Sequence, residues 1–325
     1  MDNEFLLMDR IQKIQQIIGK YGEENFYISF SGGKDSTVLS ALVDMALPDN
    51  TIPRVYANTG IEYRLIVEFV EREREKEHPW ELVILKPSVP IKPMLEQEGY
   101  PFKSKEHSHI LDIFSRRGFD CITVPHYLGT REGYGDRYRC PKILEYQFSQ
   151  DFKLKISDKC CLKMKEEPLD NWAKENKKPH RIIGIMPSEG GRRATTKCLA
   201  FKNNGKNLSF HPLSVVTKKW EDWFIEKYKI DISDIYKEPY NRERTGCKGC
   251  PFAIDLQEEL DMLEKYFPAE RKQCEIIWKP VYDEYRRLGY RLRKDEKVKL
   301  IEDLNKDQIE GQKTIFDYID TENKI

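Results

Sequence analysis

One segment constrains the fold of this chain more than any other. A short apolar run, Phe26 to Phe30, leads into Ser31-Gly32-Gly33-Lys34-Asp35-Ser36, after which Val38, Leu39, Leu42, Val43 and Ala46 keep helical spacing as far as Pro48. A strand, a glycine turn and a helix in direct succession make a βα unit. The pattern then repeats. Ile52 to Ala57 reads as a strand, Asn58-Thr59-Gly60 as a turn, and Leu65, Ile66, Phe69 and Val70 as the buried stripe of a charged helix. Glu81 to Leu85 supplies a third strand and Arg181 to Met186 a later one. Strands alternating with helices predict an α/β fold built on a doubly wound parallel sheet.

Outside these units the text changes character. Between about residues 98 and 160 the periodicity weakens into Gly, Tyr, His and charge, which predicts a partly helical insertion acting as a lid, a substrate loop or a plain surface excursion. Thr217 to Tyr228 reads as an amphipathic helix with Trp220 and Trp223 in the core, and the stretch after Cys250 is helical in pattern to about Leu288. The expected division is a nucleotide-binding domain over 1–207, with its insertion at 98–160, and a helical part over 208–325 that carries the Cys-x-x-Cys.

The first two dozen residues interleave charge with Phe5, Leu6, Ile11, Ile14, Ile17 and Ile18, the pattern of an amphipathic helix and not of a signal peptide. No stretch approaches the roughly 18 apolar residues of a membrane span. The expectation is a cytoplasmic protein with no membrane partner. With 55 Lys+Arg against 55 Asp+Glu, net charge indicates neither nucleic acid nor lipid. Locally, Glu270 to Lys299 holds ten basic and six acidic residues, a helical face able to follow a phosphate backbone or simply a solvated one.

The glycine segment carries the chemistry. Two glycines let the backbone turn tightly and aim N–H groups at an anion, and the helix start adds the positive end of its dipole. Lys34 adds a point charge, and Ser31, Ser36 and Thr37 add hydroxyls. The spacing is neither that of the Walker A loop nor that of the dinucleotide fingerprint, so those nucleotide folds are disfavoured.

The eight cysteines are the second source of chemistry. In a reducing compartment, clustered cysteines more often bind metal than form disulfides. Cys247-x-x-Cys250, after a glycine, makes a tight knuckle, and with Cys160-Cys161 it offers four thiolates suited to zinc or to an iron–sulfur cluster. Adjacent cysteines diverge in a strand, which suits a larger cluster better than tetrahedral zinc. Uncoordinated thiols are the third alternative. Cys121, Cys140, Cys198 and Cys274 have no such partners and read as small packing residues.

At these residues the chain resembles the PP-loop ATP pyrophosphatase superfamily, and within it the phosphoadenosine phosphosulfate and adenosine phosphosulfate (PAPS/APS) reductase family. SGGKDS resembles the superfamily's phosphate loop, and Asn58-Thr59-Gly60 with Glu62 resembles the turn after its second strand. CCLKMKEEPLDNWA and RTGCKGCPF resemble the two cysteine pairs of the assimilatory reductases, and IIGIMPSEGGRRA their arginine-bearing loop. The resemblance covers about residues 26 to 255. It implies that Ser31, Gly32, Gly33, Lys34, Asp35, Ser36, Asn58, Thr59 and Gly60 bind an adenine nucleotide. It further implies that Cys160, Cys161, Cys247 and Cys250 hold a [4Fe-4S] cluster, with zinc as the alternative, and that Arg192 and Arg193 fork onto phosphate or sulfate oxygens.

Sulfonucleotide reductases end in a tail whose cysteine attacks sulfur, whereas this sequence ends KTIFDYIDTENKI, and Lys34 is more typical of the ATP-cleaving branch. The expected activity is therefore Mg²⁺-dependent cleavage of ATP to AMP and pyrophosphate, adenylating a substrate for sulfur transfer of the thiolation or phosphorothioation type. Lys34, Asp35, Arg192 and Arg193 are its catalytic candidates. A nucleic acid is the candidate acceptor, and a sulfur-donor protein such as a cysteine desulfurase the candidate partner. An APS/PAPS reductase and a non-catalytic nucleotide sensor are the alternatives.

Overall fold

The computed structural model describes residues 2–130, 139–189, 195–202 and 206–294. The apolar run before the glycines forms β1 (Phe26–Ser29), and the helix after them is α2 (Lys34–Ala46), preceded in the chain by α1 (Asn3–Tyr21). Next come β2 (Arg54–Ala57), α3 (Arg64–Glu75), β3 (Leu82–Leu85) and α4 (Ile91–Glu98). Later in the chain α7 (Glu167–Glu175), β4 (His180–Ile182) and α8 (Lys218–Tyr228) complete the expected elements. Every expected strand is present, each shorter than its apolar run.

The sheet order is β3-β2-β1-β4-β6-β5. All neighbouring pairs are parallel except β5 (Leu199–Lys202) and β6 (Asn207–Phe210), an antiparallel edge hairpin that the sequence reading did not place. Alternation along β1 shows why the sheet is covered on both faces. Phe26 and Ile28 enter one core with Ile14, Ile17, Leu39, Leu42, Trp220 and Phe224, supplied by α1, α2 and α8. Tyr27, between them, packs on the opposite face with Val55, Ala57 and Leu169 of α7. Each fully buried Leu or Phe contributes about 1.5–3 kcal/mol.

Arg54 is fully buried on β2 and ties it to α2, donating to Asp44 Oδ1 at 2.6 Å and to Ser40 Oγ at 3.0 Å, with the Trp80 ring 4.1 Å away. Burial pulls its pKa down to about 10 against the pull of Asp44. The α1 stripe differs from expectation at one point, because Phe5 is exposed while Leu7 and Arg10 are buried.

The chain divides into two units, residues 1–99 with 158–248, and 100–157 with 249–325. The stretch of weak periodicity thus belongs with the C-terminal helices and not with the sheet, a grouping different from the expected boundary at 207. The second unit holds α5 (Lys105–Arg117), α6 (Thr123–Leu128), α9 (Leu256–Tyr266) and α10 (Pro268–Leu288), and its buried residues include Phe102, Leu111, Val124, Leu144, Leu260 and Trp278. Buried His107 links Tyr127 Oη at 2.9 Å to Gln147 Oε1 at 2.7 Å, and burial lowers its pKa to about 4. The weak pattern follows from this polar, aromatic filling. Among the described residues no helix is long and apolar enough to cross a membrane.

Candidate functional site

The phosphate-loop candidates lie where the strand order reverses. β1 has β2 on one side and β4 on the other, and a crevice beyond the carboxyl ends of strands at such a switch is where open α/β sheets bind ligands. Gly32 adopts φ +68°, and a Cβ there would stand 2.6 Å from Val70 Cγ2, so only glycine allows the turn to pack on α3. Gly184, just past β4, is a site residue the sequence reading missed. A Cβ on it would lie 2.8 Å from the Asp35 carbonyl oxygen, so its bare backbone lets β4 approach the first turn of α2. A glycine inside an apolar strand run was the available signal.

The loop hydroxyls are engaged internally. Ser36 Oγ donates to the Gly33 carbonyl at 2.9 Å and accepts from Ser31 N–H at 3.1 Å, and Thr37 Oγ1 donates to the same carbonyl at 3.0 Å. They brace the turn. Neither Ser31 nor Asp35 caps α2; its N-cap is Gly33, with no side-chain bond. Tyr236 Oη accepts from Lys34 N–H at 3.2 Å and pairs with Thr245. Lys34 Nζ stands 3.4 Å from Asp222 Oδ1 and 3.6 Å from Glu221 Oε2.

The second turn sits beside the first, since Phe30 N–H bonds Val55 O at 3.0 Å. Asn58 Oδ1 accepts from Gly60 N–H at 3.0 Å, and Gly60 takes φ +81°. Glu62 is buried and accepts from Thr59 N–H at 3.0 Å and Thr59 Oγ1 at 2.8 Å, with Lys165 Nζ at 3.5 Å. Glu62 thereby joins this turn to the cysteine helix.

That helix opens at Cys160-Cys161, widens into a π-helical turn over Leu162–Glu166, and continues as α7. Helical geometry replaces the strand in which the two cysteines would diverge. Lys165 in the wide turn hydrogen-bonds Cys247 and also faces Glu62 and Cys161. Burial pushes the Cys247 thiol up to about 11, with Lys165 opposing and Glu62 and Cys161 adding to the rise. Lys165 is raised above the ordinary lysine range by its anionic neighbours despite the cost of burial. Cys250 lies in the second unit, three residues beyond Cys247.

None of the eight cysteines is in a disulfide. Among the described residues no group of three or more His, Cys, Asp or Glu is arranged to hold a metal ion. The donor chemistry nonetheless suits a thiolate-held group, because Lys165 offsets negative charge at Cys161 and Cys247. Of the other four cysteines, Cys140 and Cys274 are buried, and Cys121 and Cys198 are half-buried. Arg192 and Arg193 lie outside the described residues. In α10 and after it the basic residues are largely paired, Lys279 with Asp283 at 2.6 Å, Arg287 with Glu284 at 2.7 Å, and Arg293 with Asp261 at 2.7 Å. That pairing weakens a phosphate-tracking role for the helix.

A mostly parallel sheet with a glycine turn at its switch point defines an open α/β class of protein, in which ligands bind beyond the carboxyl ends of the strands. The profile of the phosphoadenosine phosphosulfate reductase domain matches residues 25–115 and 138–253, more than half of the chain, and the protein belongs to that family. No curated protein matches it. Among solved structures it is similar to a phosphoadenylyl-sulfate reductase from Candida auris in complex with phosphate, at 11% identity and a TM-score of 0.40, covering 73% of this chain and 93% of that one. It is also similar to the U34-tRNA thiolase NcsA from Methanococcus maripaludis with its [4Fe-4S] cluster, at 16% identity and 0.40, covering 89% and 81%. An NH3-dependent NAD synthetase from Campylobacter jejuni matches at 13% identity and 0.38, covering 87% and 96%.

Proposed function

We propose that this protein cleaves ATP between its α- and β-phosphates and adenylates an acceptor as a step in sulfur transfer. The observation that carries the reading is Lys34 at the first turn of α2, beside the β1/β4 switch point, on a loop whose shape is held by its own hydroxyls. An acceptor oxygen attacks the α-phosphorus, the bond to the bridging oxygen breaks, and pyrophosphate leaves with that electron pair. Lys34 and the N-terminal N–H groups of α2 neutralise the leaving charge. Mg²⁺, when bound with the nucleotide, would neutralise phosphate charge and need at most one or two carboxylates from the chain. Arg192 and Arg193, which follow β4 in sequence and lie outside the described residues, are our candidates for phosphate contacts on the resemblance alone.

Cys160, Cys161, Cys247 and Cys250 would hold a [4Fe-4S] cluster, which when bound supplies a thiolate-held iron site for sulfur. Lys165 sets the charge around two of these thiols. The acceptor we favour is a nucleic acid supplied with sulfur through a donor such as a cysteine desulfurase. Incubation with ATP, Mg²⁺ and a panel of RNAs and DNAs tests the reading. Pyrophosphate is expected with the adenylated acceptor, and AMP once a sulfur nucleophile displaces it from the acceptor; ADP and phosphate would sink it. Iron and acid-labile sulfide in anaerobically purified protein test the cluster, and zinc in their place would replace it. The family match favours a second reading, reductive cleavage of a phosphosulfate, which sulfite release from APS or PAPS with a dithiol would promote.

A further inference from the structure

Lys34 is held by two carboxylates of α8 that differ in kind. Asp222 has a side chain 56% exposed, and water screens its attraction. Glu221 is 2% exposed, and its Oε1 is buried without a hydrogen-bond partner among the described residues. Such an orphaned oxygen is costly. The groups facing it are Lys34 and Asp35 from α2, Asp222 from its own helix, and Tyr236 from the turn at Asp234–Tyr236. Two ionised carboxylates have no hydrogen to share. A proton on Glu221, however, can be donated to Asp35, whose carboxyl is within hydrogen-bond reach of the Glu221 side chain.

Burial and then Asp35 raise the Glu221 pKa to about 8, with Lys34 opposing. Tyr236 titrates far above this, its pKa raised to about 12 by burial.

Resting on the reading that this loop binds nucleotide phosphates, we propose that Glu221 is a proton-holding positioning residue. It docks Lys34, yields it to incoming phosphates, and keeps a solvent-derived proton shared with Asp35, so that nucleotide binding takes up protons where Glu221 is otherwise ionised. Phosphate oxygens compete with Glu221 and Asp222 for the ammonium. Once Lys34 turns to phosphate, Glu221 loses its only opposing cation among the groups named and gains an anion nearby. Both changes favour its protonated form. By linkage, affinity is level below the free-state titration and falls as pH rises through it, by up to roughly tenfold per pH unit. The nucleotide's own last ionisation, near about pH 6, lies below that window.

The test is calorimetric titration of the full-length protein with α,β-methylene-ATP and Mg²⁺ from about pH 7 to about 9.5, in buffers of different ionisation heat. Wild type is expected to bind with a Kd that is level to about pH 8 and then weakens toward tenfold per unit, with up to about one proton taken up. Glu221→Gln, which presents a neutral group of the same shape, is expected to bind with a flat profile and no such uptake. Equal pH slopes in the two proteins would overturn the proposal while leaving the nucleotide reading intact. Absence of binding at every pH would overturn the nucleotide reading itself. Carbon-13 carboxyl titration of the ligand-free protein gives an independent readout, comparing wild type with Glu221→Gln. A glutamate resonance missing from the variant should titrate near pH 8, and one in the ordinary carboxylate range would overturn the proposal.

Discussion

Two buried glutamates in the first unit each face a lysine, and they are satisfied in opposite ways. Glu62 has both oxygens filled, by Thr59 N–H, by the Thr59 hydroxyl and, at longer range, by Lys165. Glu221 has one oxygen near Lys34 and the other buried without a hydrogen-bond partner among the described residues, and Asp35 faces its carboxyl. The first arrangement fixes geometry: it locks the turn after β2 to the wide turn behind Cys160-Cys161. The second stores a choice between a proton and a cation. Local donors make the difference, since a backbone N–H and a hydroxyl three residues away suffice for Glu62, whereas Glu221 depends on residues 186 and 187 positions distant.

The largest effect should come from breaking the satisfied pair. Glu62→Ala leaves Lys165 and two Thr59 donors without their acceptor, a loss of about 3–5 kcal/mol. A drop in Tm of about 10 °C is expected by calorimetry, and an unchanged Tm would erase the contrast between the two sites.

Glu221→Gln should act in the other direction. A folded-state pKa raised to about 8 gives a stabilising contribution that is full below the unfolded-state value and is lost as pH rises through about 8. Glutamine does not titrate, so the variant should gain on wild type between about pH 4.5 and 8, by roughly 4–5 kcal/mol at the upper end. Chemical denaturation at the two pH values measures this, and a pH-independent difference would contradict it.

The smallest effect concerns the cysteine side of the comparison. Lys165 holds the Cys247 thiol down against burial, so Lys165→Met should raise it above about 11. Alkylation of Cys247 at about pH 8 in chelator-treated protein should slow several-fold, because the thiolate is the nucleophile. Equal rates would show that Lys165 does not control that thiol.

The glycine turn between β1 and α2 was legible in the sequence because its constraints are local. The apolar run, the paired glycines and the stripe of α2 all lie within about twenty residues, and Thr217, at the foot of an amphipathic stripe, accepts from Trp220 N–H as the N-cap of α8. The edge hairpin of β5 and β6 was not legible. Its strands are four residues each, one of them mixes Phe201 with Lys202, and such runs carry no periodicity above background. The excess of basic residues after Glu270 was legible as composition, but its pairing with Glu284, Asp283 and Asp261 was not. The stretch over 98–160 read as an insertion because its interior is filled by His107, Tyr127 and Gln147, which no hydrophobic template detects.

By itself the sequence determined the α/β alternation and the glycine turn between β1 and α2, both carried by spacing over short distances. Tertiary structure decided which side chains confront one another. It brought α8 to the start of α2, so that Lys34 meets Glu221 and Asp222, and it set Lys165 against Cys247. The physical reason is range. Backbone turns and helical stripes are encoded by neighbours in the chain, whereas burial, and the proton affinities that burial shifts, depend on whatever the fold packs against a group from far away.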